Sequence, residues 1–427
     1  MRLLLSAFSF SPVRGSEAAV GWNTAIQLAK HADVTVLFGD IRSDRRSLND
    51  LNTYLQTSVL PPRLTTRYIG PLPLISLFER LHYFPCLWML YYLGYRLWQK
   101  EALRIAARLH LETPFDICHH LTYIGFREPG YLWKLGLPFV WGPVSGAESI
   151  PFSFYKHFSN LEIFRPLSRD IGNIAQSLFP GRIRSAAQHA AKVFAVSEAE
   201  NQLFKRWNVN SELLLETGTT PNPMRRLRTS PKQKFVLIWS GLFTPRKALP
   251  ILLKALSSDS IPLQRWKLLI LGNGPMEKAW KTMASKCPFA DDNIEWKGRV
   301  SHEDALRLMA TGDILIHTGL REGTPHVILE ALSLGMPVVC HHAGGMSTAV
   351  TDDCGVTIPL VNFEYSVTHF RHTLERFIED PHLLPHLSQG ALARARNLSW
   401  ESIAERFVVT YQSILRSDPP KQQKPIS

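Results

Sequence analysis

The stretch Arg321-Glu322-Gly323-Thr324-Pro325-His326-Val327-Ile328-Leu329-Glu330-Ala331-Leu332-Ser333-Leu334-Gly335-Met336-Pro337-Val338-Val339 reads as a loop, a short helix and the opening of a strand. Thr324 is a good helix N-cap, and Pro325 suits the first helical position. Val327, Ile328, Ala331, Leu332 and Leu334 mark an apolar stripe at helical spacing, and Gly335 supplies the left-handed stop. Pro337 then opens a strand. Glu322 is therefore expected in a loop after a strand ending near His317, with Glu330 on the following helix. A helix N-terminus at the carboxyl edge of a buried strand favours phosphate through its free N–H groups and its dipole. Two carboxylates beside it suit hydrogen bonds from sugar hydroxyls. A plain helix cap with an exposed salt bridge would leave the same pattern.

Outward from this stretch, short apolar runs recur, each followed by helical spacing. They are Leu3–Ser6, Val34–Leu37, Asp116–His120, Phe139–Trp141 and Val193–Val196, then Phe235–Trp239, Lys267–Leu271, Ile294–Trp296, Ile314–His317 and Val338–Cys340. Buried strands alternating with helices predict an α/β fold of parallel sheets covered on both faces. Between the two sets, Glu216-Thr217-Gly218-Thr219-Thr220-Pro221-Asn222-Pro223 is the best interdomain linker, with two prolines among small polar residues. Ser399 caps a last helix marked by Ile403, Phe407 and Tyr411, and the proline-bearing tail 418–427 is expected to be disordered.

With 427 residues, 45% hydrophobic and 20% charged, the chain is globular, which excludes a disordered, collagenous or disulfide-stapled class. No stretch is apolar and long enough to read as a membrane span. The opening Met1-Arg2-Leu3-Leu4-Leu5 is too short for a signal peptide and reads as a first buried strand. The net charge of +12 is spread over both halves and favours anionic partners: nucleic acid, acidic lipid or phosphorylated substrates. No nucleic-acid-binding module accompanies it, so no nucleic-acid partner is expected. Five scattered cysteines without a C-x-x-C pair suit reduced thiols in the cytoplasm. His341-His342, His369-x-x-His372 and His382-x-x-x-His386 have no supporting ligands, so no metal is expected.

The region 75–98 is rich in Trp, Tyr, Phe and Leu and is flanked by Arg80, Arg96, Lys100 and Arg104. That composition suits an interfacial helix on an anionic membrane. It equally suits two helices packed on the first sheet. A similar character returns over residues 152–184.

Glu322 and Glu330, with Ala331-Leu332, Gly335 and Pro337-Val338-Val339, resemble the signature of retaining glycosyltransferase family four (glycosyl transferases group 1, of the bacterial surface-polysaccharide type). The resemblance implies GT-B architecture: two Rossmann-like domains facing across a cleft. It implies that Glu322 lies by the transferred sugar, that the loop Gly323, Thr324 and Pro325 faces the same sugar, and that Glu330 holds the nucleotide ribose. Pro325 departs from the pattern in having no N–H. Trp239-Ser240-Gly241-Leu242-Phe243-Thr244-Pro245-Arg246-Lys247 resembles the segment that brings cations to the donor diphosphate. Lys247 matches the lysine; Leu242 replaces the usual arginine, so Arg246 or another base would cover that charge.

The resemblance extends to Leu271-Gly272-Asn273-Gly274, where Asn273 is a backbone contact to the nucleotide, and to the loop Pro12-Val13-Arg14-Gly15-Ser16-Glu17, where Gly15 and Ser16 approach the donor. It also puts a histidine at the end of the strand Asp116-Ile117-Cys118-His119-His120 near the sugar, His120 in preference to His119. The domains it implies are an acceptor-side 1–220, a nucleotide-sugar-binding 221–398 and a helix 399–417 returning to the first. The implied activity is retaining transfer of a sugar from a nucleoside diphosphate to a hydroxyl, without metal or cofactor. The acceptor would be a saccharide or lipid-linked saccharide, and the protein cytoplasmic or peripheral on the inner face of the membrane. A noncatalytic sugar-nucleotide-binding or scaffold protein is the alternative.

Overall fold

The computed structural model describes residues 1–40, 44–70, 90–158, 160–178, 180–229, 234–289 and 293–417. The tail 418–427 and most of the aromatic region 75–98 lie outside the described residues. The chain forms two compact units: residues 1–147, 176–218 and 400–427 make the first, and residues 148–175 and 219–399 the second. The break after Gly218 falls within the expected linker. The segment 148–175, expected in the first domain, belongs instead to the second unit, because Ile150, Phe154 and Tyr155 are buried in that unit's core.

The first unit holds the strands β1 (Arg2–Ala7), β2 (Asp33–Gly39), β3 (Leu64–Ile69), β4 (Ile117–Thr122), β5 (Phe139–Val144), β6 (Lys192–Ala195) and β7 (Ser211–Leu213). They pair in parallel in the order β3-β2-β1-β4-β5-β6-β7. The central strands β1, β2, β4, β5 and β6 are buried at consecutive positions because both faces are covered. Leu3, Leu5, Val34 and Ile117 pack on one side with the helices Glu17–Leu28 and Trp400–Ser417; Leu4, Leu37, Cys118 and Trp141 pack on the other. Each fully buried Val, Leu, Ile or Phe contributes about 1.5–3 kcal/mol, so two covered faces sustain a unit of this size.

The second unit holds β8 (Phe235–Ser240), β9 (Trp266–Leu271), β10 (Ile294–Gly298), β11 (Ile314–His317), β12 (Val338–His342) and β13 (Gly355–Pro359). Their order is β10-β9-β8-β11-β12-β13, again all parallel. In both sheets the winding reverses between the first and fourth strands of the unit. In doubly wound folds ligands bind just beyond the carboxyl ends of the strands at such a reversal. In the second unit those strands are β8, followed by Arg246 and Lys247, and β11, followed by Glu322.

Candidate functional site

The loops after β8 and β11 are stapled together. Trp239 Nε1 donates to Thr318 Oγ1 at 3.0 Å, and that hydroxyl donates to the Lys247 carbonyl at 2.7 Å. The Leu320 N–H donates to the Arg246 carbonyl at 2.8 Å, and Arg246 Nη1 to the Arg321 carbonyl at 3.2 Å. A single helical turn, Pro245–Lys247, ends at Ala248 in a left-handed conformation (φ 45°), and Lys247 is carried inward.

Three charges meet there. Arg246 Nη1 lies 2.7 Å and Lys247 Nζ 2.8 Å from the same Glu322 oxygen, Oε1. Burial pushes the Glu322 carboxyl up, but Lys247 and then Arg246 outweigh it and hold it at about 2. Burial pushes the Lys247 ammonium down, and Glu322 draws it partly back. His317, at the end of β11, is pushed down to about 3 by burial, with Lys247 adding to the effect. Its Nε2 lies 2.8 Å and Glu322 Oε1 3.1 Å from the point that a Cβ on Gly319 would occupy. A neutral imidazole therefore borders the ion cluster.

The loop after Glu322 is shaped by a glycine. Gly344 has φ +52°, and a Cβ there would collide with the Glu322 carbonyl; the Gly345 N–H donates to the Gly323 carbonyl at 3.0 Å. Thr324, expected as the helix N-cap, is not one: the helix is His326–Ser333, and Pro325 holds the cap position without a side-chain cap bond. Proline's φ suits the entry, and the cap shifts by one residue. Gly335 does adopt the left-handed stop, with φ +69°. Glu330, on that helix, is partly buried, and its carboxyl is pushed up by burial against the opposing effect of His302, whose Nδ1 is 3.8 Å away. Asn273 accepts from the Phe243 N–H through its carbonyl at 2.8 Å, so the Gly-Asn-Gly turn backs the loop after β8.

The remaining candidates belong to the first unit. Gly15 and Ser16 follow β1; a Cβ on Gly15 would meet nothing within 4 Å, and Ser16 rather than Gly15 takes the left-handed φ of 57°. His119 and His120 point to opposite faces of β4. His119 Nε2 donates to the Gly142 carbonyl at 2.6 Å, and Nδ1 accepts from Tyr411 O–H, which makes it a satisfied core residue. His120 faces Gln99 and Gly130, and burial followed by His119 pushes it down to about 3.

Two contacts had no signal in the sequence. Arg321, next to Glu322, pairs with Asp170 at 2.6 Å, and Asp170 also accepts from Tyr155 O–H at 2.6 Å and from the Ile150 N–H at 3.3 Å. Glu148 Oε2 accepts from the Gly344 N–H at 2.5 Å. Segment 148–175 thus brackets the Glu322 loop with two carboxylates. Among the described residues, no group of three His, Cys, Asp or Glu side chains is arranged to hold a metal ion.

Residues 223–394 match the family described as glycosyl transferases group 1. The chain is 28% identical over 194 residues to a GDP-mannose-dependent monoacylated alpha-(1-6)-phosphatidylinositol monomannoside mannosyltransferase of Corynebacterium glutamicum, a match covering 43% of this chain and 48% of that one. It is 29% identical over 198 residues to a D-inositol 3-phosphate glycosyltransferase of Stackebrandtia nassauensis, covering 44% and 43%. The chain therefore spans about half the length of these curated relatives. Among solved structures, a sucrose-phosphate synthase of Thermosynechococcus elongatus superposes with TM-score 0.62 at 15% identity, over 98% of this chain and 100% of that one. The lipopolysaccharide outer core galactosyltransferase WaaB in its apo form superposes with TM-score 0.65 at 13% identity, over 97% and 99%. The fold is GT-B.

Proposed function

Through residues 223–394 the chain belongs to the group 1 glycosyl transferases, and from that premise we propose that it moves a sugar from a nucleoside diphosphate to a hydroxyl acceptor with retention at the anomeric carbon. The observation that carries this is the convergence of Arg246, Lys247 and Glu322 beyond β8 and β11. Two cations, one of them largely desolvated, suit a diphosphate leaving group more than they suit a plain surface ion pair. Gly323, Thr324 and Pro325 lead into the helix bearing Glu330, which takes the ribose hydroxyls, and Asn273 lies beside the nucleotide. Gly15, Ser16 and His120 are the residues of the first unit that the resemblance assigns to the donor and its sugar.

Glu322, neutralised by two cations, is a weak nucleophile and acts by orienting the sugar. The bond from C1 to the diphosphate oxygen breaks first. The acceptor oxygen then attacks the same face of C1, and its proton passes to the departing phosphate. Charge on that phosphate is held by Lys247 and Arg246, so no metal or cofactor is required. The relative named as a mannosyltransferase of a monoacylated phosphatidylinositol monomannoside supports an acceptor that is a lipid-linked saccharide, which would be met at the cytoplasmic face of a membrane. Exposed Ile171, Ile174 and Leu178 on the helix Asn160–Leu178 support membrane contact, and no described helix is long and apolar enough to span a membrane.

A panel of nucleotide sugars tests the reading by thermal shift and transfer. A cognate donor should raise Tm by mass action in the parent chain and fail to do so in Lys247→Ala. A parent chain that responds to no donor would defeat it. Leu242, 55% exposed where an arginine is usual, favours the second reading, a noncatalytic sugar-nucleotide binder; a donor-dependent Tm shift without transfer or donor hydrolysis would select it.

A further inference from the structure

We propose that the first unit carries its own anion site, formed by Arg96 and Arg182 on Glu128 together with the neighbouring Arg127, which takes the phosphate of a phosphorylated acceptor. The anion site stands on the geometry below; that its occupant is the acceptor rests on the transferase reading.

Position comes first. Arg127 and Glu128 lie in the loop after β4, the strand that adjoins β1 where the winding of the first sheet reverses. Arg96 lies in the early turns of the helix Leu90–Glu112, and Arg182 in the first turn of Gly181–His189. Loops and helix starts beyond the carboxyl ends of parallel strands are where doubly wound units receive ligands.

Charge comes second. Glu128 is 2% exposed and accepts from Arg96 Nε at 2.9 Å and Nη2 at 2.7 Å on one oxygen, and from Arg182 Nη2 at 2.7 Å on the other. Arg127 is not spent on that carboxylate: its Nη2 donates to Tyr92 O–H at 3.2 Å, and its guanidinium lies 5.0 Å from that ring's centre. One carboxylate is thus paired with two guanidiniums, and Arg127 is the residue next to it in the loop. The Arg182 charge is met by Glu128 through Nη2, but Nη1 is shut off from solvent and has no hydrogen-bond partner among the described residues, a donor of a kind that native proteins rarely leave unused. Its guanidinium also lies 5.3 Å from the Tyr131 ring centre.

Chemistry comes third. Guanidinium forks match phosphate oxygens in pairs, and rings beside them hold the forks in plane while offering a face to a sugar. Among the described residues two guanidiniums meet one carboxylate, more positive charge than that carboxylate neutralises. A soluble sugar phosphate and a lipid phosphate headgroup share that chemistry.

The test uses the full chain at low salt, in the parent and in Lys247→Ala, which removes a donor-site cation. The probes are glucose 6-phosphate by calorimetry, and phosphatidylcholine vesicles with and without about one-third phosphatidylglycerol by sedimentation. Arg127→Gln and Arg182→Gln should each weaken the responding probe about tenfold. Glu128→Gln, which releases two guanidiniums, should tighten it several-fold, and added salt should weaken all of them. Arg127 does not touch Glu128, so Arg127→Gln decides the matter should Arg182→Gln not fold. A glucose 6-phosphate response identifies a soluble phosphate, and a response confined to anionic vesicles identifies a headgroup. Binding by Arg127→Gln equal to the parent, no tightening by Glu128→Gln, or no response to either probe would overturn the site. A parent chain that binds these probes but shows no Tm shift with UDP, GDP or ADP would remove the transferase reading and leave the anion site standing.

Discussion

Lys247 Nζ and Glu322 Oε1 lie 2.8 Å apart with both side chains 10% exposed, the lysine following β8 and the glutamate following β11. A buried pair of this kind adds little net stability when intact, yet losing one partner costs about 3–5 kcal/mol because the other is left uncompensated. Nothing in packing requires it, which makes a role in binding the better reason for its presence.

The two partners should fail differently. Lys247→Ala removes a cation and should abolish transfer and nucleoside diphosphate binding together. Glu322→Gln frees Lys247 and Arg246 from their internal anion. It should lower transfer by at least about a hundredfold while binding UDP or GDP as well as the parent, or better. Thermal shift for binding and single-turnover transfer for chemistry check this. Equal loss of both properties in the two variants would contradict the assignment.

The Asp170–Arg321 pair should behave as a stability clamp on the Glu322 loop. Asp170→Asn leaves the Arg321 guanidinium, in a residue that is 9% exposed, without its counter-ion. A loss of about 3–5 kcal/mol is expected in urea unfolding. Asp170→Asn/Arg321→Met should recover at least about 1 kcal/mol of it, because no charge is then stranded. Additive losses would mean that the two residues are energetically independent.

Much of the second unit was legible in its sequence. Ile314–His317 and Val338–Cys340 are continuous apolar runs, and Gly335 between them admits one helix stop, so Glu322 and Glu330 could be assigned to loop and helix directly. Among the edge strands β10 was legible as Ile294–Trp296, but β3, β7 and β13 were not. β3 alternates buried and exposed residues, β7 has three residues, and β13 runs from a glycine to a proline; such strands lack the double-sided burial that marks central ones. The choice between His119 and His120 depended on which face of β4 meets Trp400–Ser417, a long-range contact that local pattern does not encode. The Asp170 clamp is tertiary in the same sense.

Acid should destabilise the protein through its buried histidines. His119 and His341 are pushed down to about 4, and His120 and His317 to about 3, by burial in each case. A depressed folded value means that the unfolded chain takes up the proton first. Each contribution is therefore complete above the unfolded value of about 6.5 and is lost as pH falls toward 4 or 3. At about pH 5 each histidine has lost up to about 2 kcal/mol. Glu17 has the opposite sign: burial pushes it up to about 7 against the Ile124 N–H, with Glu216 adding to the rise. Its contribution is complete below about pH 4.5 and is lost as pH rises through 7. Tm should fall steeply between about pH 7 and pH 5, and Glu17→Gln should gain about 1–3 kcal/mol at about pH 8 and almost nothing at about pH 4. A flat Tm profile, or equal gains at both ends, would contradict these signs.

Leu242 offers a gain-of-function test. It is 55% exposed and follows Gly241, whose N–H donates to the Leu271 carbonyl at 3.0 Å, so the backbone there is fixed while the side chain is in solvent. Replacing it with arginine costs no packing and adds a third cation to the loop that carries Arg246 and Lys247. A further guanidinium reaching the diphosphate should strengthen nucleoside diphosphate binding about three- to tenfold at low salt, with the advantage shrinking as salt rises. Tm in the absence of ligand should stay within about 0.5 kcal/mol equivalent of the parent, as for most surface substitutions. Unchanged affinity in Leu242→Arg would show that the leucine side chain points away from the phosphates, and that Arg246 and Lys247 already supply all the positive charge the donor meets on this loop.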